Sequence, residues 1–274
     1  MPILLKTLRD LRWQVIWYGA GIGAYAALIV LLYPLFQDTF AELELPEGYA
    51  SFLGGDAELD LSTPRGYMTT EMMSWVPLVG AMYAVFASTS LFGSDEQSGT
   101  LELLLTQPIS RRRLFIERVG GLVIATLLIG ALAATGIVIG SLFVDLGDLG
   151  AMQLAGAMFN LVPLMLACAG LGLLVATLTP TRGLALGLVA GETVAVFLLN
   201  SISNLNGTLE PLHYLSPFYY SDSATVLHDG IAISHLLVLL GAFLLLTTVA
   251  ALSFDAREIG ARRWQLRSLI ARNV

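Results

Sequence analysis

The chain has 274 residues, 56% of them hydrophobic and only 13% charged, about half the charge of an average soluble domain. A soluble core of this length could not hide so much apolar surface behind so few charges, so the composition excludes an ordinary water-soluble domain and points to a membrane. The net charge of −7 argues against a nucleic-acid partner, and the lone Cys168 excludes an internal disulfide and a cysteine-rich metal site.

The first residues set Leu4, Leu8, Leu11 and Val15 on one helical face, with Lys6, Arg9 and Asp10 opposite. That pattern fits an amphipathic helix lying in the membrane interface and equally an ordinary basic flank. Residues 13–36 follow as a charge-free stretch too long for a signal-peptide core, with no small-residue cleavage site at Tyr33-Pro34-Leu35-Phe36. It reads as a retained first span. Crossing a ~30 Å hydrocarbon layer takes about 20 apolar residues. Further stretches of that order lie at 72–92, 119–144, 151–178, 184–200 and 231–252. The predicted fold is therefore all-α, an integral membrane protein of six spans in one domain, with longer connections only at 37–70 and 201–230.

Between the second and third spans, Gly99 breaks whatever precedes it. Residues Thr100 to Gln107 are strong helix formers with Leu101, Leu104 and Leu105 on one face, and Pro108 stops the turn. Ser110 is placed to cap the next helix, which opens on Arg111, Arg112 and Arg113. The segment 94–113 thus predicts a short amphipathic helix lying flat at the interface, with acids before it and a basic cluster after it. As a plain polar loop, its arginines would still hold topology and bind anionic lipid.

Further along, Gly136 and Gly140 in the third span, and Gly183, Gly187 and Gly191 in the fifth, recur at every fourth position. Such faces admit close helix approach, whether within the chain or at a seam with a second copy. Glu192 is the one ionisable residue deep within a span, either a group in a transport path or gate or a structural hydrogen-bonding residue. The outer stretch Pro211 to Tyr220 is rich in aromatics and prolines, including Tyr214, Pro217 and Phe218. It reads as an interfacial aromatic belt or as a segment dipping into the membrane. His213, His228 and His235 are too scattered for a metal site, and Met68, Met72, Met73 and Met82 read as packing before soft-metal ligands.

Thirteen of the fourteen Lys and Arg residues fall in the N-terminus, the 93–118 loop, the 179–183 loop and the C-terminus, leaving only Arg65 on the other side. One face sums to +6 and the other to −12, with Glu192 inside a span. The positive-inside rule makes the basic face cytoplasmic, with both termini on it, and suggests a multi-pass protein of the cytoplasmic membrane.

The run Gly99-Thr100-Leu101-Glu102, then leucines, then Pro108-Ile109-Ser110-Arg111 resembles the cytoplasmic signature of ABC-2 type transporter permeases, in the expected loop. In that family the acids ahead of the motif often alternate with arginine, whereas Asp95-Glu96-Gln97 here do not. The resemblance implies a type V exporter-like permease with an N-terminal elbow helix, a cytoplasmic coupling helix and short re-entrant helices at the outer gate. It makes Glu96, Gly99, Thr100, Leu101, Glu102, Leu104, Leu105 and Pro108 the ATPase-coupling residues, and Thr179 to Gly183 a smaller second contact. Glu192, Tyr214, Pro217 and Phe218 are the candidates for path and gate.

The only lysine, Lys6, follows Leu4 and Leu5 rather than a glycine-rich run, so the chain holds no P-loop and is not itself an enzyme. No cofactor is expected on it. ATP and Mg would sit on a separate ATPase subunit, present twice per transporter. A second permease copy or a related permease, together with membrane lipids, completes the expected partners. The alternatives are an ion- or proton-coupled carrier using Glu192 and a non-transporting membrane scaffold.

Overall fold

A computed structural model describes residues 2–41, 63–98, 110–203, 214–221, 226–227, 230 and 232–256 and, within them, all side chains but those of 38–41 and 93–98. Every regular element among the described residues is helical. Helix α1 spans Pro2–Ala41, α2 Pro64–Met68, α3 Val76–Ser98 and α4 Arg111–Ser141. Then follow α5 (Ala151–Phe159), α6 (Leu161–Leu178), α7 (Arg182–Ser203), α8 (Pro217–Tyr220) and α9 (Ile233–Ala256). Counting α2–α3 and α5–α6 as single crossings, six are long and apolar enough to span a membrane.

The helices begin and end where local chemistry dictates. The N-terminal amphipathic segment is continuous with the first span in one helix of 40 residues, which is about 60 Å long at 1.5 Å per residue. Helix α2 starts at Pro64 under a Thr63 cap, the side chain accepting from the Gly66 N–H at 3.1 Å. A π-helical turn, Thr69–Met73, joins it to α3, and the Ser74 hydroxyl donates to the Thr69 carbonyl across the wider turn at 3.1 Å. Ser110 caps α4, accepting from the Arg113 N–H at 3.3 Å. That helix stops at Ser141, short of Val144, because its last carbonyls close tighter turns onto Leu142 and Phe143 and an Asp145 turn follows. The fourth crossing is broken at Asn160. Pro163 explains the break, since its ring would clash with the carbonyl of Phe159 and it has no N–H to donate there.

The most extensive helix pair runs α1 along α4, and small residues make it so. A Cβ on Gly23 would stand 2.7 Å from the Leu132 carbonyl oxygen, and one on Gly136 would collide with the backbone of Gly23. A Cβ on Gly140 would stand 3.0 Å from the Ala27 carbonyl oxygen, and one on Gly121 2.8 Å from the Thr7 side chain. Gly136 and Gly140 therefore serve packing within the chain. On α1 the buried face is Ile3, Thr7, Leu11 and Val15, one residue behind Leu4 and Leu8, which are half-buried.

The α5–α6 crossing is the most buried, with 78% of its most apolar stretch covered, and α6 packs between α3 and α9. The peripheral α7 and α9 bury only 22% and 17% of theirs. Polar side chains in the apolar layer close onto their own helix. Thr89 donates to the Val85 carbonyl at 2.7 Å and Thr126 to that of Leu122 at 3.0 Å. Met68, Met72 and Met73 are buried in the core, where they fill space between helices.

The two faces of α1 give a paired test. Gly23→Ala, placed against backbone, should destabilise by about 1–3 kcal/mol. Gly21→Ala, which meets open space, should be neutral or gain up to about 1 kcal/mol from helix propensity. Thermal melting of both variants in one detergent reads the difference, and equal midpoints would refute backbone-to-backbone packing of α1 on α4.

Candidate functional site

Helix α7 organises the outer half of the candidate site. Thr181 opens it, its hydroxyl accepting from the Leu184 N–H at 3.3 Å after the break at Pro180. Ala185, Val189 and Thr193 then recur every fourth residue as the buried stripe facing the bundle. The exposed face carries Gly183, Gly187 and Gly191, where an added Cβ would meet nothing within 4 Å. Unlike the glycines of α4, this row makes no close helix contact among the described residues. Glu192, itself exposed, flanks the buried stripe about 15 Å along the axis from Arg182 and so near half the depth of the apolar layer.

Beside Glu192 lies a cavity of about 310 Å³. Its walls are Ala167, Cys168 and Leu171 of α6, Thr193 and Val196 of α7, and Val238, Leu239, Ala242 and Leu246 of α9. The segment 214–220 contributes Tyr214, Leu215, Pro217, Phe218 and Tyr220. All four residues singled out from sequence for path or gate, Glu192, Tyr214, Pro217 and Phe218, thus line one cavity. Among its described lining residues Glu192 is the sole carboxylate and there is no Lys, Arg or His. Its one hydrogen bond among the described residues comes from the adjacent Thr193 hydroxyl, at 3.5 Å.

Why the 214–220 segment holds its shape can be read from its residues. Pro217 occupies the first position of α8, where its missing N–H is not needed, and buried Ser216 caps the helix by accepting from the Phe218 N–H at 3.2 Å. The Tyr220 hydroxyl donates to the Tyr214 carbonyl at 3.0 Å and ties the turn together. Phe218 is driven inward and meets Phe197 of α7 edge-on at 5.2 Å, while Phe197 in turn reaches Trp75 at 6.4 Å. His235 packs against Tyr219 and Tyr220 at 5.5 and 5.3 Å. No group of three or more His, Cys, Asp or Glu residues that could hold a metal occurs among the described residues.

At the end of the bundle where α4 begins and α9 ends, a second cluster joins three crossings. Phe92 of α3 stacks on Phe115 of α4 at 5.3 Å, and Phe254 of α9 closes the trio at 4.9 and 5.8 Å. Arg118, buried at 5% exposure, holds its guanidinium 5.4 Å above the Phe92 ring and donates to the Leu91 carbonyl, about two turns before the end of α3. Arg112 pairs with Asp255 at 2.7 Å, and Arg111 donates to the Asp255 carbonyl at 3.3 Å. Glu117 accepts from Arg113 at 2.8 Å and from the Leu4 N–H at 3.3 Å, satisfying one of the open donors at the start of α1.

Gly99, Thr100, Leu101, Glu102, Leu104, Leu105 and Pro108 lie outside the described residues, as do His213 and His228. Glu96 falls in the last turns of α3, where only the backbone is described. The phenylalanine trio and Arg118 are additions that sequence reading missed. Their signal was three aromatic residues at matching distances from the charged ends of three spans, which means little until those spans are known to be neighbours.

No curated protein matches the chain. The family described as "Multidrug efflux system permease Rv1217c, C-terminal domain" matches residues 5–255, which include all six crossings. With that match added to six apolar helices and an all-α fold, the chain belongs to this family of multidrug efflux permeases and is a multi-pass membrane permease of a transporter.

Proposed function

We propose that the protein is the membrane subunit of an ATP-binding-cassette exporter, paired with a second permease copy or a related permease and driven by two copies of a separate ATPase. The observation that carries this reading is the cytoplasmic cluster. Residues 99–108 connect α3 to α4, and the ends of those helices are joined by Phe92, Phe115 and Arg118 and tied to α9 through Phe254 and Asp255. A force applied to the connecting segment would reach three crossings together. That is what a coupling helix requires.

In this reading Leu101, Leu104 and Leu105 form the face that enters a cleft on the ATPase, bounded by Gly99 and Pro108, with Thr100 and Glu102 on its polar side and Glu96 just ahead of it in the last turns of α3. ATP and Mg stay on the partner. The basic face with both termini is cytoplasmic, and the first turns of α1 act as an elbow at the interface, where Leu5, Trp13 and Trp17 are exposed. The cavity beside Glu192 belongs to the outward path, and the 214–220 segment is its outer gate. The open glycine row of α7 suits a seam with the second permease. The efflux role in the family's name supports outward transport.

A second reading, an ion- or proton-coupled carrier, is favoured only by Glu192 and its lack of a basic neighbour in the cavity. The two readings part on the source of energy. In proteoliposomes holding the full complex, transport should stop when ATP is withheld and persist when a protonophore collapses the proton gradient. The opposite pattern would establish the carrier.

Two variants test the coupling. Solubilised from its native membrane, the permease should retain an ATPase, and Leu104→Asp should release most of it; an intact complex without an ATPase would sink the proposal. Phe254→Ala should keep the ATPase bound yet reduce transport per ATP hydrolysed by about tenfold or more, at a stability loss of about 3 kcal/mol or less if the site relaxes. Unchanged transport per ATP would show that α9 takes no part in transmission.

A further inference from the structure

The cavity beside Glu192 also indicates what it would hold. We propose that it is a binding site for a lipophilic organic monocation, seated with its charge against the Glu192 carboxylate and its apolar body between α6, α7 and α9. The inference deepens the transport reading above by naming a ligand class for the same site.

The volume of about 310 Å³ lies at the lower bound of cavities that enclose small organic ligands. The walls from α6 and α9 are apolar, and among the described lining residues Glu192 is the only charged one, about halfway through the membrane. A carboxylate at that depth is costly unless a counter-charge or water meets it. No basic side chain is among the described lining residues, and the one hydrogen bond Glu192 makes among the described residues is the long one from Thr193. A ligand with one positive charge supplies what is missing, whereas a neutral or anionic ligand of the same shape leaves the carboxylate unmet.

Metal ions fit poorly. A hard divalent cation seeks about six or more oxygen ligands, and this lining offers one carboxylate with a few hydroxyls. On the outer side, Tyr214, Phe218 and Tyr220 present aromatic rings, whose faces attract an organic cation and whose edges pack on its hydrocarbon. Their arrangement is fixed by the Ser216 cap and the Tyr220–Tyr214 hydrogen bond, so the aromatic wall is largely formed before a ligand arrives. Cys168 on the opposite wall is a small, buried side chain that leaves room beside the carboxylate.

Equilibrium dialysis of the purified permease in nanodiscs, without its ATPase and with empty nanodiscs subtracted, tests this with two probes of one shape. Tetraphenylphosphonium should bind saturably, and tetraphenylborate, which differs in the sign of its charge, should not displace it. Glu192→Gln should weaken tetraphenylphosphonium binding by about thirtyfold, the scale of one ion pair in an apolar site, while Glu192→Asp should stay within about threefold of wild type. Displacement by tetraphenylborate as effective as by the cation itself, absence of saturable binding, or equal affinity in Glu192→Gln would each overturn the proposal. The probe comparison needs no variant, so a misfolded substitution cannot hide the result. Failure here leaves ATPase capture untouched, and loss of capture in Leu104→Asp leaves cation binding untouched, so the two readings fail separately.

Discussion

At Gly23 and Gly136 no side chain separates α1 from α4, and much of the molecule depends on that contact. Between membrane helices there is little hydrophobic driving force, because lipid tails are as apolar as leucine. What holds two helices together is the density of van der Waals contact, and removing side chains from a seam brings backbones into range. With α1 fixed along α4, the start of α4 becomes a stable platform for Phe115, Arg118 and the pair with Asp255. Through them α3 and α9 are held together at that end of the bundle, and α6 is gripped between them.

The two glycine rows show how the same spacing serves different ends. Those of α4 are filled by α1, whereas those of α7 look into open space on a helix only 22% buried. Sequence spacing alone does not distinguish these cases, since both rows are small residues every fourth position on an apolar helix. The difference lies in which neighbour the chain topology supplies. Helix α1 is long enough to cover most of α4, and no described element lies against that row of α7.

The architecture was legible because the membrane imposes a strong and local rule: apolar stretches of sufficient length must become helices, since unsatisfied backbone groups are too costly in hydrocarbon. The same rule made Glu192 visible as an exception. The details that depend on neighbours were not legible. The break at Asn160 could have been foreseen from Pro163, but the π turn at Thr69–Met73 carries no sequence mark that separates it from ordinary helix. Nor could the grouping of Glu192 with Tyr214, Pro217 and Phe218 be foreseen, since residues more than twenty apart meet only because α8 folds back over α6, α7 and α9. Arg118 was read as one more positive charge fixing orientation. Its burial and its ring contact with Phe92 depend on α3 and α4 being adjacent, which the linear charge pattern does not contain.

Helix α9 is the one crossing that belongs to both clusters. It lines the cavity at Leu239 and meets the phenylalanine–arginine group at Phe254 and Asp255, a distance of about 24 Å along its axis. Thermodynamic linkage gives such an element a two-way character. Under the proposed coupling, whatever shift of α9 an ATPase would produce at the Phe254 end, a ligand favouring that same position of α9 in the cavity would alter the ATPase's affinity by an equal factor. A lever of that kind would by necessity also be a sensor, reporting the occupancy of the cavity to the far end of the helix.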